Sequence, residues 1–321
     1  MKSPSKLLFV FLLVSSTYLV ASSSNWLTIW MGLEINMLGY IPLIFMKETT
    51  SESEAAVKYL IPQSVGSTIF ISSAIISNYF NNSQILMVIA MCLKLGVAPF
   101  HFWFPPVMAS LQLAPAFILL TWQKIAPILA IGALSPSLIK LVMPVAAISA
   151  LWGGIGGINQ TDIRSLLTYS SIGHTGWMLA SVNGNYIILL VYLLTYMLIN
   201  ISIYVFLSKN NNKSHKQLFS FKEPSKLFIL AISLLSLGGL PPLVGFIMKL
   251  LVLMFTQASI VIIFGLIIGA LMSLFYYLSL TFSVLLSFTK IHLTEFKSTS
   301  KESILLFLSQ ITPLAMILSF F

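Results

Sequence analysis

The chain has 321 residues, of which 58% are hydrophobic and only 8% charged, too little polar surface for a soluble domain to show to water. The net charge of +9 does not point to nucleic acid, because the lysines lie between apolar runs and not on one basic face. The one cysteine, Cys92, can neither close a disulfide within the chain nor hold an iron–sulfur cluster or a structural zinc.

Apolar runs near the ~20 residues that cross a bilayer recur along the chain, without the alternating ten-residue segments of a membrane barrel. The fold class is therefore all-α, a polytopic membrane protein. The first run, 5–22, lies between Lys2 and Lys6 and the small residues Ala21 to Ser24, as in a signal peptide. Its span-like length and the many runs after it make it the first transmembrane helix. Polar or Pro/Gly punctuation then delimits 26–46, 57–79, 84–104, 113–133, 139–158, 164–182, 186–207, 227–254, 259–288 and 303–320, eleven spans in all. The glycines at 153–157 lack GxGxxG spacing and a preceding strand, so they read as close helix packing and not as a dinucleotide site. Span 227–254 is too long for one straight crossing. It contains GGLPPLVGF at 238–246, which is expected to break it into two half-helices. Span 259–288 is also long and is expected to tilt or to extend beyond the membrane.

The loops test this topology. On the side of the N-terminus stand Lys2, Lys6, Lys47, Lys58, Arg164, Lys209, Lys213, Lys216, Lys222, Lys226, Lys290, Lys297 and Lys301, 13 of the 17 basic residues. The opposite loops hold only Lys140. That asymmetry fits the positive-inside rule, so eleven spans and an inside N-terminus support each other.

Four charges are left inside spans. Glu34 in GLEINMLGY, Lys94 in CLKLGVAPF and Lys124 in LLTWQKIAP sit near span midpoints, and Lys249 in GFIMKL follows the break in 227–254. Mid-span is ~15 Å from either edge of a ~30 Å apolar core, too far for Lys94 or Lys124 to snorkel. Two structural readings compete with a functional one. An ammonium can cap carbonyls freed at a proline break, and Glu34 can form a single ion pair that fixes packing. One pair, however, leaves two lysines unexplained, and ionisable groups at membrane depth are functional by default.

The functional reading is a row of titratable groups across the middle of the membrane. Burial disfavours the charged form of a lysine and of a glutamate alike, which lets both exchange protons. Two charges ~8 Å apart at an effective dielectric of ~20 interact by about 2 kcal/mol, enough to pass a change of charge to a neighbour. Moving a proton against ~150 mV costs about 3.5 kcal/mol, so an outside driving force is required. Gly96-Val97-Ala98-Pro99 and Gly239-Leu240-Pro241-Pro242 share a G-x-x-P pattern with a lysine near each. Paired broken helices are the sequence pointer to ion sites in repeat-built transporters. His174, beside Tyr169, Ser170, Ser171 and Thr175, is either hydrogen-bonded packing or a further relay. His101 and Trp103 lie near a span end and read as interfacial.

MGLEINMLGYIP, KLGVAPFHFW, LLTWQKIAP, GGINQTDIRSLLTYSSIGHTGW and SLGGLPPLVGF, in that order, resemble the antiporter-like, proton-pumping membrane subunits of mitochondrial NADH–ubiquinone oxidoreductase (respiratory complex I). The wider family resembles Mrp-type cation/proton antiporters. The resemblance covers about residues 25–285. It implies two inverted five-helix repeats, 1–138 and 139–288, each with a discontinuous helix, followed by a basic loop and a C-terminal helix at 289–321. It also implies that Glu34, Lys94, Lys124, Lys249 and His174 form a proton relay along a hydrated axis, with Glu34 tuning its lysine partner. Bacterial relatives carry three more N-terminal helices, so the chain resembles the shortened animal form, with its basic side in the matrix of the mitochondrial inner membrane. NADH, FMN, iron–sulfur clusters and ubiquinone are expected in partner subunits of the membrane complex, with no cofactor or metal on this chain. Lipids and protons complete the expected partners. A subunit of a redox-independent cation/proton antiporter is the alternative.

Overall fold

At membrane depth no water is available to the backbone, so an apolar segment must close its hydrogen bonds within itself or against protein. The computed structural model describes residues 4–46, 49–77, 79, 84–210, 224–241 and 243–291. Among them only helices form. In chain order they are α1 (Pro4–Ser22), α2 (Trp26–Ile44), α3 (Thr50–Ile76), α4 (Gln84–Leu95), α5 (Phe104–Ser110), α6 (Leu113–Leu120), α7 (Ile125–Gly132) and α8 (Pro136–Ile158). They continue as α9 (Ile163–Val182), α10 (Tyr186–Asn210), α11 (Pro224–Gly238), α12 (Val244–Phe255) and α13 (Ile260–Ile291). The expected span 303–320 and most of the polar loop 208–226 lie outside the described residues.

Among the described residues, six stretches are long and apolar enough to cross a membrane by length and composition: Trp26–Ile44, Thr50–Ile76, Leu113–Gly132, Pro136–Ile158, Tyr186–Ser208 and Ile260–Phe282. Helix α9 is long enough but carries Ser170, Ser171, His174, Thr175 and Ser181. It is instead buried on nearly every face, the arrangement that suits a helix too polar to meet lipid. Hydroxyls elsewhere are hidden by donation to the carbonyl three residues back, as at Ser16 to Leu13 (2.9 Å) and Ser233 to Leu230 (2.8 Å).

The chain divides into two compact units, Met1–Ser149 and Ala150–Phe321, at a point inside α8. In the first unit α1 packs along α2, α3 packs against α2, α4 and α5, and α7 rests on α1, α2 and α4. In the second, α11 packs along α13, and α9 and α10 pack against α12. The glycine run acts here as the sequence suggests. A Cβ at Gly153 would strike the backbone of Gly173 on α9, and one at Gly157 the ring of Tyr276 on α13.

Two breaks position the charges, and they are built alike. Helix α4 stops at Leu95, and Gly96 turns into the left-handed region (φ +65°). Its N–H donates to Leu93 O (3.2 Å), and the N–H of Val97 reaches back to Cys92 O (3.1 Å). Helix α11 ends in the same way at Gly239 (φ +86°), which donates to Ser236 O (3.1 Å) while Leu240 donates to Leu235 O (3.3 Å). This is the Schellman closure, in which only glycine takes the left-handed position without strain. The chain then runs irregularly through 96–103 before α5 and through 239–241 after α11.

A third interruption falls where Pro127 allowed a proline break. In span 113–133 a 3₁₀ turn at Trp122–Lys124 separates α6 from α7. Pro127 accounts for it: its missing N–H and its ring both act on the carbonyl four residues earlier, that of Gln123. Pro42, Pro62 and Pro144 are carried inside helices without a break.

Candidate functional site

Helix α4 presents Lys94 in its last turn, where carbonyls lose their helical partners. Side chains from elsewhere in the first unit take up those carbonyls. Gln63 on α3 donates to Lys94 O (3.0 Å), and the Trp103 indole donates to Leu93 O (3.1 Å). Trp103 is thus a support of the break and not merely an interfacial anchor, and His101 beside it is buried, at 5% exposure. Gly66 on α3 leaves room for the lysine stem, because a Cβ there would lie 2.9 Å from Lys94 Cγ.

The stem carries the ammonium to Glu34 on α2, with Nζ 3.9 Å from Oε1. Neither of these two atoms has a hydrogen-bond partner, although both are buried. The contact is therefore ionic and loose, coupled through charge and not locked by geometry. At that distance and an effective dielectric of ~20 it is worth about 4 kcal/mol. This is roughly double the coupling of charges ~8 Å apart.

Lys124, at the end of the 3₁₀ turn, is 3% exposed, and its Nζ lies 5.7 Å from the centre of the Phe104 ring, the first residue of α5. A cavity of about 20 Å³ is lined by both lysines, by Asn36, Tyr59, Gln63 and Gln123, and by apolar walls that include Leu119 and Pro127. By the measure in which one water needs ~10–15 Å³, it has room for a water. The first unit thus brings together Glu34, Lys94 and Lys124.

The second unit holds the other two sequence candidates, each in its own setting. Lys249 on α12 donates to Gly238 O (2.9 Å) and Leu237 O (3.3 Å), the final carbonyls of α11. Its ammonium therefore caps a broken helix, one of the two structural alternatives open from sequence. His174 on α9 pairs through Nδ1 with the Tyr192 hydroxyl (2.8 Å) and lies 5.1 Å, ring to ring, from Tyr196. Both rings are buried on α10.

Sequence reasoning missed two kinds of residue. Asn36 and Gln123 are neutral, and a hydropathy reading gives them no weight. Glu52 reads as part of a loop, yet it is 1% exposed, accepts from Met46 N (3.0 Å) and from Gln112 Nε2 (2.5 Å), and ties the end of α2 to the start of α6. The acidic first turn of α3 was the available signal.

Residues 23–84 and 73–275 match the family described as NADH:quinone oxidoreductase/Mrp antiporter, transmembrane. Buried ammonium groups beside two alike helix breaks, in a polytopic helical chain, fit that class of antiporter-like membrane subunit. NADH-ubiquinone oxidoreductase chain 2 of Canis rufus is 38% identical over 303 residues, covering 89% of this chain and 87% of the relative. The same protein of Oryctolagus cuniculus is 37% identical and covers 86% and 84%. The chain belongs to the NADH-ubiquinone oxidoreductase chain 2 family. Among solved structures, a chain of respiratory complex I from Thermus thermophilus with bound aureothin superposes with a TM-score of 0.84 at 25% identity, covering 98% of this chain and 78% of that one.

Proposed function

We propose that the chain is a proton-translocating membrane-arm subunit of respiratory complex I in the mitochondrial inner membrane. In this reading it assembles with other membrane-arm subunits, while NADH, FMN, iron–sulfur clusters and ubiquinone are handled by partners. Its N-terminus and basic loops face the matrix. The two inverted repeats, 1–138 and 139–288, followed by 289–321, are part of the same reading, supported by the shared Schellman closures at Gly96 and Gly239.

The observation that carries it is the buried Lys94–Glu34 contact at 3.9 Å, made without a hydrogen bond. An ammonium held by charge alone changes its proton affinity when its counter-ion moves or is neutralised. With Glu34 charged and near, Lys94 keeps its proton. With Glu34 neutral or withdrawn, the stabilisation of about 4 kcal/mol is lost and the proton can leave through the cavity toward Lys124. Lys249 and His174 are the proposed relay groups of the second unit. The redox-independent antiporter subunit is not favoured, because relatives named NADH-ubiquinone oxidoreductase chain 2 align along 89% of the chain.

The test is Lys124→Ala in the assembled complex, measuring protons moved per electron against the wild type. A lower ratio at normal assembly is expected. An unchanged ratio would reduce the buried charges to packing elements.

A further inference from the structure

Asn36 is 3% exposed, and neither its Oδ1 nor its Nδ2 has a partner in the protein. A buried carboxamide left wholly unbonded is costly, about 1–3 kcal/mol for each unmet group, and native cores seldom contain one. Its side chain lines the cavity shared by Lys94 and Lys124. Two more unmet donors border the same space: Lys94 Nζ and Gln123 Nε2. The Gln123 amide is oriented by its other end, since Oε1 accepts from the Tyr59 hydroxyl at 3.3 Å. One small volume thus gathers the donors of Lys94 and Gln123 and both ends of an asparagine.

Three of these four unmet atoms, the Lys94 and Gln123 donors and the Asn36 acceptor, can be met by one water. A water can accept from Lys94 Nζ and from Gln123 Nε2 and donate one hydrogen to Asn36 Oδ1. Its second hydrogen is then free to point at Lys124. From this juxtaposition we infer that Asn36, helped by Gln123, is a positioning residue that holds and orients a water through which a proton passes between Lys94 and Lys124.

The step conserves atoms and charge. An N–H bond of the Lys94 ammonium breaks as an O–H bond to the water forms. The water's outward O–H bond breaks as an N–H bond to neutral Lys124 forms. Lys94 ends neutral, Lys124 ends as the ammonium, and the water is regenerated. Asn36 neither gains nor loses a proton. It selects which hydrogen of the water faces forward by binding the other.

This inference rests on the proposed pump and is tested beside it in the assembled complex. Asn36→Leu keeps the number and branching of side-chain heavy atoms and removes both polar amide atoms; Asn36→Ser restores a donor and an acceptor on a smaller group. The expected result is that Asn36→Leu lowers protons per electron to the level of Lys124→Ala, that Asn36→Ser recovers most of the loss, and that Asn36→Leu combined with Lys124→Ala is no worse than Lys124→Ala alone. A group that merely filled space would be served by leucine and not rescued by serine. If Lys124→Ala lowers the ratio and Asn36→Leu does not, the role of Asn36 is overturned and the pump stands. If Lys124→Ala leaves the ratio unchanged, the pump itself fails. Should Asn36→Leu fail to assemble, Gln123→Met, which keeps chain length and drops the Nε2 donor, decides in its place: a normal ratio there overturns the inference.

Discussion

A buried lysine can hold a fold together or hold a proton, and the bonds of its ammonium separate the two. Lys249 donates to two main-chain carbonyls that no helical N–H can reach, whereas Lys94 Nζ has no hydrogen bond and only a 3.9 Å approach to Glu34. Replacing Lys249 by methionine strands both carbonyls, at about 1–3 kcal/mol for each buried group left unmet. Replacing Lys94 strands only Glu34, whose side chain is 21% exposed and so partly open to its surroundings. Thermal unfolding of the assembled complex is therefore expected to show a clear loss of stability for Lys249→Met and a smaller one for Lys94→Met, with pumping lowered by both. Equal stabilities would remove the structural distinction between the two lysines. The sequence made all four charges conspicuous, because a charge in an apolar run stands out in any hydropathy reading. It could not tell a cap from an ion pair, since that depends on where a flexible four-carbon stem ends. Asn36 was invisible for the opposite reason. A neutral amide hardly alters a hydropathy average, and only a folded interior shows that it lacks partners.

At the scale of the elements, breaks decide where these side chains go. The two glycine closures could be read from G-x-x-P, since a residue that tolerates positive φ followed by prolines leaves a helix no way to continue. A break at Pro127 was one reading open from sequence, but the 3₁₀ turn at Trp122–Lys124 was not fixed by it, because prolines inside helices are not uniform in effect: Pro42, Pro62 and Pro144 leave theirs intact. What differs at Pro127 is the context upstream, where Thr121 bonds through both its N–H (3.1 Å) and its hydroxyl (2.7 Å) to Phe117 O and closes α6 just before the turn. Three residues wound as 3₁₀ and not as α turn the chain by roughly 60° more about the axis, from 120° against 100° per residue. That rotation helps set Lys124 beside the cavity. Pro127→Ala supplies the N–H that Gln123 O lacks and favours a continuous helix, which would swing Lys124 away. The expected outcome is an unusual pairing of effects. Thermal stability is kept or raised, by up to about 1 kcal/mol for the regained hydrogen bond, while protons per electron fall toward the Lys124→Ala value. Normal pumping in a complex carrying Pro127→Ala would show that the 3₁₀ turn is incidental to the position of the lysine.

The whole molecule must be threaded through the membrane in one sense for the proposed relay to have a direction. The chain alone offers two kinds of constraint on that threading. One is the distribution of basic residues, 13 of 17 of which fall on the side of the N-terminus if the chain crosses eleven times, a bias that would favour that side facing inward. The other is the set of ties between chain ends and turns, which no count of charges contains. In the first unit the Lys6 ammonium approaches Met46 Sδ (3.8 Å), and Glu52 bonds both Met46 N and Gln112 Nε2. The start of α1, the α2–α3 turn and the start of α6 therefore share one face, as an alternation of spans requires. In the second unit Asn183 Nδ2 donates to Gln257 O (3.2 Å), joining the turns after α9 and α12 on a common face as well. These ties fix the parity of crossings within each unit but not which face meets the matrix. Site-directed labelling can supply that, because the native Cys92 is buried at 2% exposure and adds little background. Ser51, at the start of α3, and Ser135, just before α8, are both exposed and lie in the first unit at ends of opposite parity. In the assembled complex, Ser51→Cys is expected to react with a membrane-impermeant maleimide in inside-out inner-membrane vesicles and to stay unlabelled in mitoplasts, with Ser135→Cys behaving in the reverse way. Labelling of both positions from one side would mean that the crossings between them are miscounted. A clean exchange of the two patterns would keep the fold but put the N-terminus, and the basic loops with it, on the side away from the matrix.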